Sequence, residues 1–228
     1  MRASGGRVLS GPFAGMAYAG EAVGSQPGPK LLGTYESELA AVMDDCCTRS
    51  FTNIVDVGAA EGYYAIGTLR RMPNAKGVAF ESEPAGRRLL ESMAKLNGVA
   101  NRLTIRGKCT PSELSAALEQ GANNLVIMDV EGAEDELLDA QRCSGLGNAQ
   151  ILVETHEHLA PGVMERLMRR FQATHEIKRI DSHPLSETTL PTISGITPAM
   201  IRLLADEMRS YPMSWLWMTP TSAPGRTN

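Results

Sequence analysis

The sequence predicts an α/β fold in which a mostly parallel, seven-stranded sheet carries helices on both faces and the last strand is antiparallel. Two observations support this prediction. Short apolar runs alternate with segments of helical periodicity along most of the chain. The predicted strands are also almost wholly apolar, which is typical of strands covered on both faces. Right-handed crossovers between consecutive parallel strands then distribute the helices over both faces.

Seven short segments, most of them apolar, are predicted to be the strands: 54–57, 77–80, 103–105, 125–128, 151–153, 177–180 and 215–218. The first run is rich in β-branched residues and is closed by Gly58, which marks it as a buried strand.

Helices are predicted from capping signals and apolar stripes. Thr34 is the expected N-cap of a first helix that runs to about Cys47. Residues 110–113 (TPSE) combine an N-cap, a proline and a reciprocal glutamate, and so predict a capping box. Further helices are expected to begin near residues 63, 133, 161 and 197. The helix after the second strand is expected to bury one stripe: Ala85, Leu89, Met93 and Leu96.

The length of 228 residues fits one domain. Residues 1–32 are rich in Gly, Pro and Ser and are predicted to form an irregular N-terminal arm. The domain itself is expected over residues 33–221, with a flexible tail at 222–228. Tyr35 and Glu36, at the start of the first predicted helix, either roof a cofactor or begin a surface helix.

Composition disfavours several function classes. The formal net charge of −4 argues against a nucleic acid or a membrane surface as the main partner. No apolar run approaches the ~20 residues that span a bilayer, and the N-terminus lacks the apolar run of a signal peptide. The four cysteines have no metal-like spacing, which favours a reducing compartment. We therefore expect a cytoplasmic protein with a small-molecule partner.

The loop after the first predicted strand is a candidate ligand site. In parallel sheets of this kind, ligands bind beyond the carboxyl ends of the strands, where the strand order reverses. Gly58 and Gly62 allow the backbone to approach a ligand closely, and the small Ala59 keeps the space open. Asp56 is unusual at the end of a buried strand and needs a partner.

A second acidic signal indicates the ligand class. Glu81 and Glu83 close the second predicted strand about 20 residues further on, where a ribose hydroxyl pair is usually bound. Ala60 replaces the middle glycine of a dinucleotide motif, and the carboxylate of Glu61 at the next helix would repel a pyrophosphate. A carboxylate there tolerates a ligand with an amine and a sulfonium. The pattern favours S-adenosylmethionine over NAD.

Three segments resemble a known family. Residues 55–64 (VDVGAAEGYY) look like the first motif of class I methyltransferases, which have a Rossmann-like fold. Residues 79–84 (AFESEP) are similar to the F-E-P segment of the FkbM-like methyltransferases. Residues 127–134 (IMDVEGAE) match the D-x-E-G-A-E motif of that family. The resemblance covers roughly residues 50–180.

The resemblance implies an enzyme that uses S-adenosylmethionine to methylate an oxygen of a small molecule, such as a sugar or a natural product. It implies that Gly58 and Gly62 line the methionine part and that Glu81 holds the ribose. Lys108 and Cys109 would flank the adenine. The full set expected to bind the cofactor is Asp56, Gly58, Ala59, Glu61, Gly62, Tyr63, Glu81, Ser82, Lys108, Cys109 and Asp129.

Polar residues with a period of two follow two neighbouring strands. Asp129 and Glu131 follow the fourth predicted strand, whereas Glu154, His156 and His158 follow the fifth. Alternation places each set on one side of its strand, so neighbouring strands would bring both sets beside the methyl donor. In one interpretation, His156 is the general base of a hydroxyl acceptor, and Asp129 or Glu154 orients it.

Two alternatives remain open for this cluster. In the first, Asp129, Glu131 and Glu154 hold a divalent ion, with or without His156, that positions the substrate. In the second, the cluster has no catalytic role, and Glu131 and Glu134 only cap the next helix, whose dipole favours acidic residues.

Two rival functions also remain. A NAD-dependent oxidoreductase would use a similar sheet, but Tyr63 is followed by Gly67 where a Tyr-x-x-x-Lys pair needs a lysine. A non-catalytic module that binds an adenosyl ligand would share the cofactor residues without the reaction centre. The patterns leave a homodimer open.

Overall fold

The predicted strands form one continuous sheet. The computed structural model describes residues 5–186 and 190–221, so the tail predicted at 222–228 lies outside the described residues. The strands are β1 (Asn53–Val57), β2 (Lys76–Phe80), β3 (Leu103–Arg106), β4 (Asn124–Met128), β5 (Gln150–Thr155), β6 (His175–Asp181) and β7 (Ser214–Pro220).

The strand order is β3-β2-β1-β4-β5-β7-β6. Strands β1 to β5 pair in parallel, whereas β7 lies antiparallel between β5 and β6. The predicted α/β class, with a mostly parallel sheet and an antiparallel last strand, is confirmed. The strand order reverses at β1, whose neighbours are β2 and β4. The loops that follow these three strands therefore meet at one edge of the sheet.

Helices cover both faces of the sheet. In the described part of the chain they are α1 (Pro27–Leu32), α2 (Ala40–Thr48), α3 (Tyr63–Arg71), α4 (Pro84–Leu96), α5 (Pro111–Leu118), α6 (Glu134–Leu137), α7 (Val163–Phe171) and α8 (Pro198–Leu204). The longest, α4, has 13 residues. Across residues 5–186 and 190–221, no helix combines the length and apolarity needed to cross a membrane.

Alternate residues of β1 point into two separate cores. Ile54 packs in a cluster with the N-terminal residues, α2, α3 and α4. Val55 and Val57 pack in a second cluster with α5 and α7. Asp56 shares the face of Ile54 because side chains alternate along a strand. One carboxyl group of β1 therefore points to the face that the start of the chain covers.

The N-terminal segment (residues 5–36) is more regular than predicted. The prediction of an irregular arm over residues 1–32 is wrong at α1, which is helical. An isolated antiparallel bridge joins Arg7 and Ala17, and the side chains of Phe13, Met16 and Tyr18 are buried. These apolar side chains place the segment within the core of the domain.

The next helix begins later than predicted. Gly33 ends α1 with a φ of 78°, and Glu36 has a φ of 47°, so helical geometry cannot run through residue 36. A short 3₁₀ turn (Ser37–Leu39) then leads into α2. The prediction of a helix that starts at Thr34 is therefore wrong in its N-terminal part.

The predicted capping box of α5 is correct, whereas the predicted buried face of α4 is wrong. The Thr110 side chain accepts the Glu113 amide, and Glu113 in return accepts the Thr110 amide, which confirms the capping box. The buried face of α4 consists of Gly86, Leu90, Met93 and Ala94. Leu96 is 57% exposed, so the predicted stripe was out of phase. Glycine and alanine contribute little to an apolar pattern, which concealed the true face.

Phe13 is predicted to be the main apolar anchor of the N-terminal segment. Its ring contacts Tyr63 edge to face at 5.2 Å, and a Cβ on Gly67 would lie 2.4 Å from Phe13 Cγ. We expect Phe13→Ala to lower the free energy of unfolding in urea by about 3–5 kcal/mol. The exposed control Leu96→Ala should change it by less than about 0.5 kcal/mol. A small effect of Phe13→Ala would contradict this packing.

Candidate cofactor site and reaction centre

A cavity of about 600 Å³ opens beyond the ends of β1, β2 and β4. It lies where the strand order reverses, as expected for a ligand site in such a sheet. Nine of the residues expected to bind a cofactor line it: Asp56, Gly58, Ala59, Tyr63, Glu81, Ser82, Lys108, Cys109 and Asp129. Their contact with a cofactor stays a prediction, but the structure brings them together around one space.

Gly58 forms the floor of this cavity. Its φ is 85°, and a Cβ at this position would lie 1.7 Å from the backbone oxygen of Asp129. The loop after β1 and the end of β4 can approach this closely only when residue 58 has no side chain. The glycine is therefore needed for the strand ends to meet, and the same contact brings Asp129 into the cavity wall.

Glu81 joins the end of β2 to the loop after β1. Its Oε2 accepts the Ala60 amide at 2.8 Å, and its Oε1 accepts the Glu83 amide at 2.7 Å. The side chain is buried and lines the cavity, whereas Glu83 is exposed at the cavity rim. Each carboxylate oxygen still has a free lone-pair direction, because a carboxylate offers about four acceptor sites.

Asp56 is a buried carboxyl group with an unused acceptor. Its Oδ2 has no hydrogen-bond partner among the described residues, although the side chain lines the cavity. Burial raises the pKa of Asp56 to about 7, and the hydrogen bond from the Ala65 amide opposes this shift. A buried polar atom of this kind requires a partner, and the cavity is where a ligand could supply one.

Two predicted cofactor residues lie elsewhere. Glu61 is fully buried and is absent from the cavity lining in the part of the chain that the structure describes. Its Oε1 accepts Lys30 Nζ at 2.5 Å and Tyr18 Oη at 2.8 Å, and its Oε2 accepts the Val23 amide at 3.1 Å. The expectation that Glu61 faces a ligand is therefore wrong, because Lys30 neutralises it.

Gly62 is the second residue outside the lining of the described cavity. It precedes α3 with a φ of 93°, and a Cβ there would lie 2.3 Å from Leu90 Cδ1. The glycine thus permits close packing between α3 and α4, and its predicted contact with the methionine part of a cofactor is not reproduced.

The N-terminal segment supplies a cavity wall that the sequence patterns did not predict. Val23, Gly24, Ser25 and Lys30 line the cavity together with Tyr35. Tyr35 was expected either to roof a cofactor or to begin a surface helix, and the structure places it in the cavity lining. Lys30 carries no local signal of this role, because its partner Glu61 is distant along the chain and its short helix has no apolar periodicity.

The candidate reaction centre lies beside this cavity. His156 follows β5, and its Nε2 is 3.4 Å from Asp129 Oδ1 and 3.7 Å from Glu154 Oε2. Its Nδ1 contacts Glu134 Oε1, which also accepts the Gly132 amide. Glu134 therefore orients the imidazole, a role that was predicted for Asp129 or Glu154. Only Asp129 of these residues also lines the described cavity.

The acidic residues of the 127–134 motif have different roles. Glu131 lines the cavity with a φ of 49°, and Glu134 is the fully buried first residue of α6. No described side chain caps α6, whose N-cap is Ala133. Glu134 lies in the first turn of α6 and accepts the Gly132 amide, as the helix-capping interpretation expects, and it also contacts His156. The alternative without a catalytic role therefore stays open. The motif itself was the available signal for Glu134.

The pKa values of His156, Glu134 and Glu154 depend on one another and on burial. Burial lowers the pKa of His156, but Glu134 and Asp129 outweigh it and the net shift is upward. Burial raises the pKa of Glu134, but His156 and the Gly132 amide reverse the shift and lower it. Burial and the adjacent Asp129 raise the pKa of Glu154 to about 11. The carboxyl groups around His156 thus favour its protonated form, and burial together with Asp129 favours the protonated form of Glu154.

A network of polar side chains connects the N-terminal segment with the segment between β6 and β7. Glu36 is buried, accepts the hydroxyl of Tyr64, and donates its amide to Glu207 Oε1 at 3.0 Å. Arg209, from the segment between β6 and β7, pairs with Glu38 at 2.6 Å. Burial raises the pKa of Glu36 to about 8. Glu36 is therefore part of an internal network, not the start of a surface helix.

Asp56 gives a testable pH dependence. Its pKa is about 7 in the folded chain, above its usual 3.8, so the folded state keeps a proton that the unfolded state has lost between these values. Stability should then fall as pH rises from about 5 to about 7, by up to about 1.4 kcal/mol per pH unit. Asp56→Asn should remove this part of the slope in urea unfolding. Parallel slopes for both proteins would contradict the assignment.

Comparison with known proteins extends these observations. No protein-family model matches the sequence, and no curated protein sequence matches it. Solved structures do match. The O-methyltransferase TomG from Streptomyces achromogenes, solved with S-adenosylmethionine, superposes with a TM-score of 0.52 at 14% identity over 82% of this chain and 81% of that one.

Two further structures superpose similarly. The O-methyltransferase from Bacillus cereus, solved with S-adenosylhomocysteine, has a TM-score of 0.51 at 9% identity, covering 82% of each chain. The precorrin-6y C5,15-methyltransferase from Geobacter metallireducens has a TM-score of 0.52 at 13% identity, covering 78% of this chain and 86% of that one. At such low identities the likeness concerns the fold: the chain has the Rossmann-like fold of class I methyltransferases.

Proposed function

We propose that this chain is an S-adenosylmethionine-dependent methyltransferase that acts on an oxygen of a small molecule, such as a sugar or a natural product. The observation that carries the proposal is the cavity at the strand-order reversal, which nine of the residues expected to bind the cofactor line, among them Asp56 and Glu81. The resemblance to the FkbM-like methyltransferases is part of the proposal and rests on the sequence motifs alone.

The residues present fit this cofactor. In this proposal Glu81 would accept the ribose hydroxyls, and Asp56 would accept the ammonium of the methionine part. The backbone of Gly58 and Ala59 leaves room beneath that part, and Ser82, Lys108 and Cys109 lie where the adenine would be held. Burial raises the pKa of Cys109 to about 12, so its thiol stays neutral.

The charge of the cavity favours S-adenosylmethionine over NAD. Among the described lining residues, six are acidic (Asp56, Glu81, Glu83, Asp129, Glu131 and Glu136) and two are basic (Lys30 and Lys108). An acidic wall attracts an ammonium and a sulfonium and repels a pyrophosphate. Glu61 itself does not contribute to this preference, because Lys30 compensates its charge.

His156 is the proposed general base. S-adenosylmethionine supplies a methyl group made electrophilic by its sulfonium sulfur. Asp129 connects the cavity to His156, because it lines the former and lies 3.4 Å from the latter. A hydroxyl acceptor bound beside Asp129 could pass its proton to Nε2 of the neutral imidazole. Glu134 holds Nδ1 and stabilises the imidazolium that results.

A divalent metal ion at the same centre is the second candidate. Asp129, Glu154 and His156 each offer a ligand atom, and these atoms lie within 4.8 Å of one another. Glu134 on the far ring nitrogen reproduces the carboxylate–histidine–metal arrangement that orients metal ligands. A cation would displace the protons of His156 and Glu154 and position an acceptor oxygen.

The compartment and the partners of the enzyme are also part of the proposal. We infer a cytoplasmic enzyme with a small-molecule acceptor and without a nucleic acid or membrane partner, consistent with the net charge of −4. A homodimer is compatible with this function.

Cofactor binding is tested by thermal unfolding with S-adenosylmethionine, S-adenosylhomocysteine or NAD. A ligand at about 100 times its dissociation constant adds roughly 2.7 kcal/mol, which for this size raises the midpoint by about 5–11 °C. Both adenosyl ligands should produce this shift and NAD should not. Glu81→Gln should reduce the shift, measured from its own baseline, whereas the exposed control Glu91→Gln should retain it. A shift with NAD alone would overturn the proposal.

The base is tested by turnover with an acceptor found in a panel of hydroxyl compounds. His156→Ala should bind the cofactor but lower kcat by about 10²- to 10⁴-fold. Because the pKa of His156 is raised, the wild-type rate should increase with pH through a midpoint above 6.5. The control His183→Ala, at an exposed position, should keep the wild-type rate. Unchanged turnover in His156→Ala would exclude the base.

A chelator separates the base from the metal. If His156 acts as a base without a cation, EDTA followed by desalting should leave kcat unchanged. Loss of activity with EDTA, and recovery with Mg²⁺ or Mn²⁺ in the wild type but not in Glu154→Gln, would instead identify the metal site. Cofactor binding in the same samples should be unaffected in both cases.

A further inference from the structure

Lys30 is a buried ammonium with unused hydrogen-bonding capacity. Its side chain is 4% exposed, and its Nζ donates to Glu61 Oε1 at 2.5 Å. Nζ also lies 4.7 Å from the ring centre of Tyr35 and 5.8 Å from that of Tyr63. An ammonium has three N–H donors, and Glu61 is its one hydrogen-bond acceptor among the described contacts. Two donors remain for another acceptor.

The position of Lys30 identifies where that acceptor would lie. Lys30 lines the cavity, and its partner Glu61 directly follows Ala60 in the loop after β1. Lys108, the other basic residue in the described lining, follows β3 instead. The ammonium is thus at the β1 end of the cavity, where the methionine part of the proposed cofactor passes the glycine loop.

A carboxyl group and an ammonium side chain both line this cavity near the end of β1. Asp56 lies in β1 itself, and Lys30 comes from α1 in the N-terminal segment. The methionine part of S-adenosylmethionine carries one ammonium and one carboxylate. Asp56 matches the ammonium, and Lys30 matches the carboxylate, through charge-assisted hydrogen bonds.

We propose that Lys30 binds the carboxylate of the methionine part, so that the N-terminal segment selects ligands that carry an intact amino-acid group. This inference rests on the proposed function, because it assumes the same cofactor. Glu61 then acts as a positioning residue that holds the ammonium at the cavity wall. Tyr35 and Tyr63 cover the ammonium and keep water from competing for it.

The experiment compares S-adenosylmethionine with decarboxylated S-adenosylmethionine, which lacks only the carboxylate. Calorimetric titration of the wild-type chain should give a preference for S-adenosylmethionine on the order of 10- to 100-fold, as expected for a charge-assisted contact. Lys30→Met should lose this preference by weakening S-adenosylmethionine binding while leaving the decarboxylated ligand nearly unchanged. Lys30→Arg should restore part of it.

Two further variants separate binding from folding. Glu61→Gln removes the charge of the ion pair but keeps the ammonium and an amide oxygen that can accept its hydrogen bond, so it should retain most of the preference. Lys30→Met with Glu61→Gln removes the unpaired buried carboxylate that Lys30→Met alone would leave, and it should lack the preference although folded.

The outcomes distinguish this inference from the proposed function. Equal binding of both ligands to the wild type, or an equal loss for both ligands in Lys30→Met and in the double variant, would overturn the role of Lys30 and leave the cofactor assignment in place. Failure of the wild type to bind either ligand would overturn both proposals.

Discussion

The buried carboxylate of Glu61 links the start of the chain to the centre of the sheet. Burying a charge is costly unless it is paired and hydrogen-bonded, and Glu61 obtains its partners from Lys30, Tyr18 and the Val23 amide. These contacts hold the N-terminal segment against the loop after β1. The same segment forms one wall of the cavity. The wall of the cavity that this segment supplies is therefore held in place by contacts to Glu61.

Features set by neighbours along the chain were predictable, whereas contacts between distant segments were not. Strand apolarity and the Thr110 capping box depend on local residues, and both agree with the structure. The pairing of Lys30 with Glu61 spans 31 residues and that of Glu134 with His156 spans 22. No periodicity encodes such pairs. The 127–134 motif nevertheless placed Asp129 and Glu134 at the same edge of the sheet as His156, as the structure has them.

Charge balance limits the chemistry of the reaction centre. His156 is surrounded by Asp129, Glu134 and Glu154, so three carboxyl groups whose charges repel one another share one imidazole. A proton or a metal ion relieves this repulsion, and the two candidate mechanisms differ in which of them is present. In both, the proposed acceptor is a neutral hydroxyl group, because the carboxylates would repel an anion.

A crystal structure of the full chain with S-adenosylhomocysteine would test the cofactor assignment most directly. We predict that the ribose hydroxyls contact Glu81, that the amino-acid part lies between Asp56 and Lys30, and that the sulfur faces Asp129. An empty cavity at saturating ligand, or a ligand bound with its adenine at Lys30, would contradict the proposed methyltransferase site.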